Sequence, residues 1–206
     1  MAKNVHVLGN GHSSKLYLNQ KDLKGMRVVC NLPPFEVDRV AFSCMVDFKM
    51  MKALTEGSLQ NPYTWVLGYR PKVWMEKNPS FHMKHASQIK EFYTVLPKYT
   101  GGGGQGYTNF NCGHFATHYV ANKIQPDRIH LWGFDSIMDF DIRSRTDFYL
   151  ESDRGSMNTE RLSGTWRKVF NGIFNEFKDI EFVIHHTHNN IKIKQPDNVT
   201  ISVEKV

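Results

Sequence analysis

Val5-His6-Val7-Leu8-Gly9-Asn10-Gly11-His12-Ser13-Ser14 is the stretch whose reading decides the fold. A run of β-forming residues stops at a Gly-x-Gly turn, and a serine able to cap a helix follows. Strand, glycine turn and helix start open a nucleotide-binding α/β unit, because paired glycines let backbone N–H groups at a helix N-terminus come close to a phosphate. The third glycine of a dinucleotide fingerprint would fall at Ser14. A mononucleotide therefore fits this turn better than NAD.

Outward from that turn, strands and helices alternate. Residues 26–30 read as a second strand that ends at Asn31, just before the breaker Leu32-Pro33-Pro34. Residues 37–46 give a third strand and a helix through about Leu54, with Met45, Met50 and Met51 as core filler; residues 64–69 give a fourth strand. Weak periodicity over 70–99 suggests an irregular insertion, or a short helix near 87–93. The glycine-rich run 100–107 reads equally as a substrate loop or a linker. Asn111-Cys112-Gly113 opens a helix over 114–122, and residues 128–132 form a strand running into Gly133-Phe134-Asp135. A polar run from 143 to 163 reads as a surface excursion, a lid over about 141–164, before helical spacing resumes over 166–177. Residues 180–184 form a buried strand ending in His185-His186-Thr187-His188, and the tail offers edge strands at 191–193 and 199–203. The expectation is an α/β protein: one Rossmann-like domain over 1–206, with a mostly parallel sheet flanked by helices.

Composition agrees with this and narrows the class. The 206 residues are 40% hydrophobic and 22% charged, which excludes disordered and fibrous chains. Three cysteines, Cys30, Cys44 and Cys112, form no even set and no Cys-x-x-Cys pair, so a disulfide framework or thiolate zinc site is not expected and a reducing compartment is. There is neither an apolar run of the ~20 residues a membrane span needs nor an N-terminal stretch suited to a signal peptide, so the expected location is the cytoplasm. The same lack of a signal makes the glycosylation pattern Asn198-Val199-Thr200 a chance match. An excess of 26 Lys+Arg over 20 Asp+Glu gives a net charge of +6, which favours anionic partners such as nucleotide, phosphate or nucleic acid.

In a parallel sheet all strand C-termini lie on one edge, so the Gly9–Ser14 turn, Asn31, Asn111 to Gly113, Asp135 and the histidines at 185 to 188 are expected to converge there. That convergence points to a site more strongly than any one motif. A general base must titrate near working pH and reach its substrate; His185, His186 and His188 follow the last main strand and one of them is the candidate, His185 or His188 foremost, with Asp135 competing. Asp139-x-Asp141 has the paired carboxylates that hold Mg²⁺ or Mn²⁺ against a diphosphate, although a solvated loop explains it as well. His114 and His118 lie four apart on a helix, but no Glu completes a His-Glu-x-x-His pattern, and core positions are favoured.

In order and spacing the turn Val5 to Ser13, Val28-Val29-Cys30-Asn31, Asn111-Cys112-Gly113 and Ile129-His130-Leu131-Trp132-Gly133-Phe134-Asp135 resemble the landmarks of sialyltransferase-like glycosyltransferases. The nearest forms are the bacterial family forty-two sialyltransferases and the MAF-type glycosyltransferases. The resemblance implies a nucleotide-activated sugar donor of CMP or another type, bound by Gly9, Asn10, Gly11, Ser13, Asn31, Asn111, Cys112 and Gly113, with Asp135 positioning the sugar. It implies no required cofactor, and an acceptor hydroxyl on a glycan or nucleic acid. Three departures stand out: His12 replaces the usual proline, Cys112 stands where serine or threonine is common, and residues 141–164 lack the histidine those enzymes use as base. Arg143, Arg145 and Tyr149 would then meet the leaving phosphate. Two other classes compete, the first sharing the same glycine turn and the second suggested by the missing histidine of residues 141–164. One is a Mg²⁺-dependent pyrophosphokinase of the hydroxymethylpterin type using Asp135, Asp139 and Asp141; the other is a nucleotide-binding protein without turnover.

Overall fold

A computed structural model describes residues 3–33, 35–99, 110–135, 158–188 and 193–205. Its centre is an eight-stranded sheet in the order β5-β4-β3-β2-β1-β6-β7-β8, with every neighbouring pair parallel. The strands are β1 (Asn4–Leu8), β2 (Met26–Cys30), β3 (Val40–Met45), β4 (Trp65–Leu67), β5 (Ile89–Phe92), β6 (Arg128–Trp132), β7 (Glu181–His186) and β8 (Val199–Val203). The chain moves outward on one side of β1 through β5, then returns to β1's other side with β6. The strand order therefore reverses between β1 and β6, the place where doubly wound sheets open a ligand crevice at the strand C-termini.

Helices cover both faces. On one face α4 (Cys112–Tyr119), continued by a π turn over Val120–Ile124, and α5 (Asn158–Glu176) bury Phe115, Phe170, Ile173 and Phe174 against Val5, Val7, Ile129, Leu131, Phe182 and Ile184. On the other face α1 (Phe48–Thr55), α2 (Tyr69–Lys77) and α3 (Pro79–His85) pack Met50, Met51, Leu54, Met75 and Phe81 against Met45, Trp65 and Leu67. The expected methionine filler at 45, 50 and 51 is thus core. Over the centre of this second face lies a 3-10 helix, His12–Asn19, with Leu16 on Leu8, Val29 and Trp132.

Several boundaries differ from expectation. The segment 70–99 is not irregular: it holds α2, α3 and edge strand β5. Pro79 begins α3 and Pro71 lies in the first turn of α2, positions that need no donor. Helix α5 begins at Asn158, so the last residues of the expected lid are helical, and residues 141–157 lie outside the described residues. The glycine-rich run 100–107 also lies outside them. Strand β8 forms as expected, whereas Ile193 is not in a strand. Among the described residues no helix is long and apolar enough to cross a membrane.

Candidate functional site

The β1 and β6 ends are laced together by their glycines. Gly9 N–H donates to Trp132 O at 2.7 Å and Gly11 N–H to Gly133 O at 2.9 Å. A Cβ on Gly9 would lie 2.5 Å from Gly133 O, and one on Gly11 would lie 2.1 Å from Asp135 Oδ2. Gly133 itself has φ +75°, and a Cβ there would lie 2.7 Å from Gly9 O. These glycines are demanded by the approach of two loops, and the N–H groups of Gly9 and Gly11 are already given to carbonyls. The expected role of Gly9 and Gly11 as phosphate donors is therefore corrected: they shape the floor of the crevice. Ser13 is corrected as well. It lies inside the 3-10 helix rather than capping it, and its N–H and hydroxyl both donate to Asp135 Oδ2 at 2.9 Å.

Asp135 is 1% exposed, with Oδ1 3.2 Å from His186 Nε2, although that N–H is not well aligned. Burial pushes the Asp135 carboxyl up, but His186 and the two Ser13 donors outweigh it and hold the group below its ordinary value. A buried, ionised carboxylate with Oδ2 held by Ser13 and Oδ1 facing His186 is a tie between three loops, and as the competing base it is shut off from solvent.

Strand alternation separates the two adjacent histidines. His185 lies on the face covered by the 3-10 helix, its ring stacked on Trp132 with centroids 3.4 Å apart. Its Nδ1 donates to Glu204 Oε1 at 2.6 Å, which leaves Nε2 to accept from His130 Nδ1–H at 2.9 Å. The expectation that His185 reaches the ligand edge as a base is not met, because both nitrogens are committed on the sheet face. His186 lies on the opposite face beside Asp135, and His188, beyond the strand, is half-buried with its N–H donating to His186 Nδ1 at 3.3 Å.

On the other side of β1 the expected neighbours do meet. Asn31 ends β2 with φ +57°, a left-handed conformation that an Asn tolerates better than most residues. Its carbonyl accepts from Ser43 Oγ at 2.5 Å and Asn61 Nδ2 at 3.1 Å, which fixes the turn. Asn31 Oδ1 stands 3.6 Å from Cys112 Sγ at the start of α4. Burial pushes the Cys112 thiol up and keeps it protonated, so it acts as a small polar filler rather than a nucleophile. Asn111 is the α4 cap: its Oδ1 accepts from His114 N–H at 3.0 Å, while its own N–H donates to His114 Nδ1 at 3.1 Å. Asn111 thus positions the helix instead of offering its oxygen to a ligand. Gly113 admits the Phe134 ring, which a Cβ would meet at 2.6 Å. Asn10 is half-buried in the glycine turn between these two sides.

His114 also contacts Trp166 O at 2.8 Å, and His118 accepts from Tyr93 hydroxyl at 2.9 Å, so the pair at four-residue spacing is structural. No group of three His, Cys, Asp or Glu among the described residues is arranged to hold a metal ion. Arg143, Arg145, Tyr149, Asp139 and Asp141 lie outside the described residues. The sequence reading missed the Asp47–Arg70 ion pair, 3.6 Å apart, where β3 and β4 end on the same edge. The signal was available in principle, since both follow strands directly, but β4 is three residues long and α2 was not recognised. No family model matches the chain, and neither a curated protein nor a solved structure matches it.

Proposed function

We propose that this protein is a glycosyltransferase that takes a sugar from a nucleotide-activated donor, as its resemblance to the sialyltransferase-like enzymes implies. The observation that supports this most is the meeting of Asn31 with the start of α4, Cys112 Sγ lying 3.6 Å from Asn31 Oδ1, beside the β1/β6 switch point. The Asn31 amide would read the base or ribose, and the first-turn N–H groups of α4 at Cys112 and Gly113 would face the phosphate. In the reaction the acceptor hydroxyl oxygen bonds to the anomeric carbon while the bond from that carbon to the phosphate oxygen breaks, its electron pair leaving on phosphate. The acceptor proton goes to His188, the expected base that lies beyond the strand end. Arg143, Arg145 and Tyr149 would face the departing phosphate.

The pyrophosphokinase alternative asks Asp135 to ligate Mg²⁺, and its engagement by Ser13 and His186 argues against that. A thermal-shift panel of CMP, CDP, UDP, GDP, AMP and ATP, each with and without Mg²⁺, tests the proposal, since a ligand that binds only the folded state raises its stability. The expected result is a metal-independent shift with CMP or another sugar-carrier nucleotide, lost in Asn31→Ala. A shift confined to ATP with Mg²⁺ would replace the transferase with the kinase, and no shift at all would remove the nucleotide site.

A further inference from the structure

His186 is a nearly inaccessible imidazole, 2% exposed, that the proposed reaction does not use. It occupies the middle of a chain of contacts joining the three loops of the switch point. Ser13, next to the glycine turn, gives two hydrogen bonds to Asp135 Oδ2; Asp135 Oδ1 lies 3.2 Å from His186 Nε2; and His186 Nδ1 accepts the His188 N–H at 3.3 Å. A neutral imidazole has one N–H and one lone pair, so acceptance at Nδ1 places the proton on Nε2, toward the carboxylate. The two rings also meet edge to face, with centroids 4.2 Å apart. His188 is therefore gripped at its backbone and at its ring by one buried side chain, whose Nε2 faces Asp135 Oδ1 across a 3.2 Å contact that lacks the alignment of a hydrogen bond.

We infer that His186 is a positioning residue: it carries the constraint from the Ser13–Asp135 tie to His188 and holds that imidazole where a substrate hydroxyl would deliver its proton. Carboxylate, imidazole and base then form a relay in geometry, with no proton passing to Asp135. Removing either end of the relay has different consequences. The amide of a glutamine at 186 can reproduce the Nε2–H toward Asp135 but offers nothing at the Nδ1 position, whereas asparagine can place its oxygen where Nδ1 accepts and leaves Asp135 without that donor.

The catalytic half of this inference rests on the transferase reading; the geometric half does not, and the experiment separates them. Long-range ¹H–¹⁵N spectra of the full chain labelled at histidine are expected to show neutral His186 as the Nε2–H tautomer and to show His188 resonances that move further in His186→Gln than in His186→Asn. A neutral Nδ1–H tautomer, or His188 resonances that move equally in the two variants, would overturn the positioning role. Hydrolysis of a CMP-activated sugar supplies the second readout. His186→Gln is expected to lower kcat by ~10-fold or more, within the range a positioned base contributes, with KM little changed, and His186→Asn, which keeps the acceptor for the His188 N–H, to lower it less. Equal losses in both variants, tracking their melting temperatures, would make His186 structural only. A parent protein that shows the expected tautomer yet neither binds CMP nor turns over the donor would overturn the transferase reading and leave the geometric half standing.

Discussion

The two faces of the central sheet are built from different chemistry. Under α4 and α5 the sheet presents Val5, Val7, Ile129, Leu131, Phe182 and Ile184, and the helices answer with Phe115, Phe170, Ile173 and Phe174. The opposite face of the same strands β1, β6 and β7 presents His6, His130, Trp132 and His185, stacked across neighbouring strands. Its hydrogen bonds run from Trp132 Nε1–H to His6 Nδ1, and from His130 through His185 to Glu204, which also accepts from Gln20. One face is held mainly by apolar burial, with His114 and His118 between its helices as its buried imidazoles. The other is held by imidazoles that must remain neutral, and this difference teaches where the protein is vulnerable.

The largest expected effect of that difference is acid unfolding. Burial depresses the His6 pKa to about 4 and that of His130 to about 3, and it also lowers His185, against the opposing pull of Glu204. His114 and His118, between α4 and α5, are lowered by burial too, His114 to about 3. Between about pH 6.5 and the folded values the unfolded chain binds protons that the folded chain refuses, so stability falls as pH falls. Each fully refused proton costs about 1.4 kcal/mol per pH unit. Summed over His6, His114 and His130, and discounted for the partial exposure of His130, the loss becomes comparable with a typical stability of about 5–15 kcal/mol as pH falls toward about 4, and Asp135, held below its ordinary value, contributes only at still lower pH. The chain is expected to unfold cooperatively between about pH 6 and pH 4. Trp132, stacked on His185, makes fluorescence a direct probe, with circular dichroism as the second; a native signal persisting at about pH 4 would break the comparison.

Next in size is truncation of the apolar face. Phe174 is fully buried and packs on Phe170 and Phe182. Phe174→Ala is expected to cost about 3–5 kcal/mol at neutral pH, from lost burial and the cavity left behind. Urea unfolding at two pH values sharpens the contrast, because this loss should be the same at about pH 7 and pH 6, whereas the parent itself loses stability between them.

How much of this was legible follows from what side-chain alternation can and cannot say. The strand at 128–132, the glycine turn, the strand-ending Asn31 and the 199–203 strand were readable because β-forming runs met breakers. Alternation places His185 and His186 on opposite faces, yet only the tertiary structure shows which face the 3-10 helix covers and that His186 is the one beside Asp135. The glycines were recognised but assigned to phosphate, since a sequence does not reveal that Gly133 and Asp135 occupy the space a Cβ would need. Helices α2 and α3 are hard to read from sequence because they are short and each carries a proline, Pro71 or Pro79, in its first turn. Asn111 was read as a ligand contact at a helix start; its partner proved to be His114, three residues on, a variant of the capping box that the usual Ser/Thr and Glu pattern does not suggest.

The smallest predicted effect tests whether the histidine face is held as a network or as separate contacts. Glu204 accepts from His185 Nδ1, Ser202 Oγ and Gln20 Nε2, while its own N–H donates to His186 O, so one side chain fastens the end of β8 to the sheet and to the segment following the 3-10 helix. Glu204→Gln keeps the shape and an acceptor oxygen but loses the charge, and a hydrogen bond to a charged group contributes about 1.5–3 kcal/mol where a neutral one contributes about 1. The expected loss is about 1 kcal/mol at neutral pH, measured by urea unfolding. If His130 and His185 act as one unit, Glu204→Gln combined with His130→Gln should cost less than the sum of the two single changes, because His185 loses its fixed tautomer in either case. Strict additivity would mean that the stacked rings, rather than the hydrogen-bonded chain through them, hold this face together.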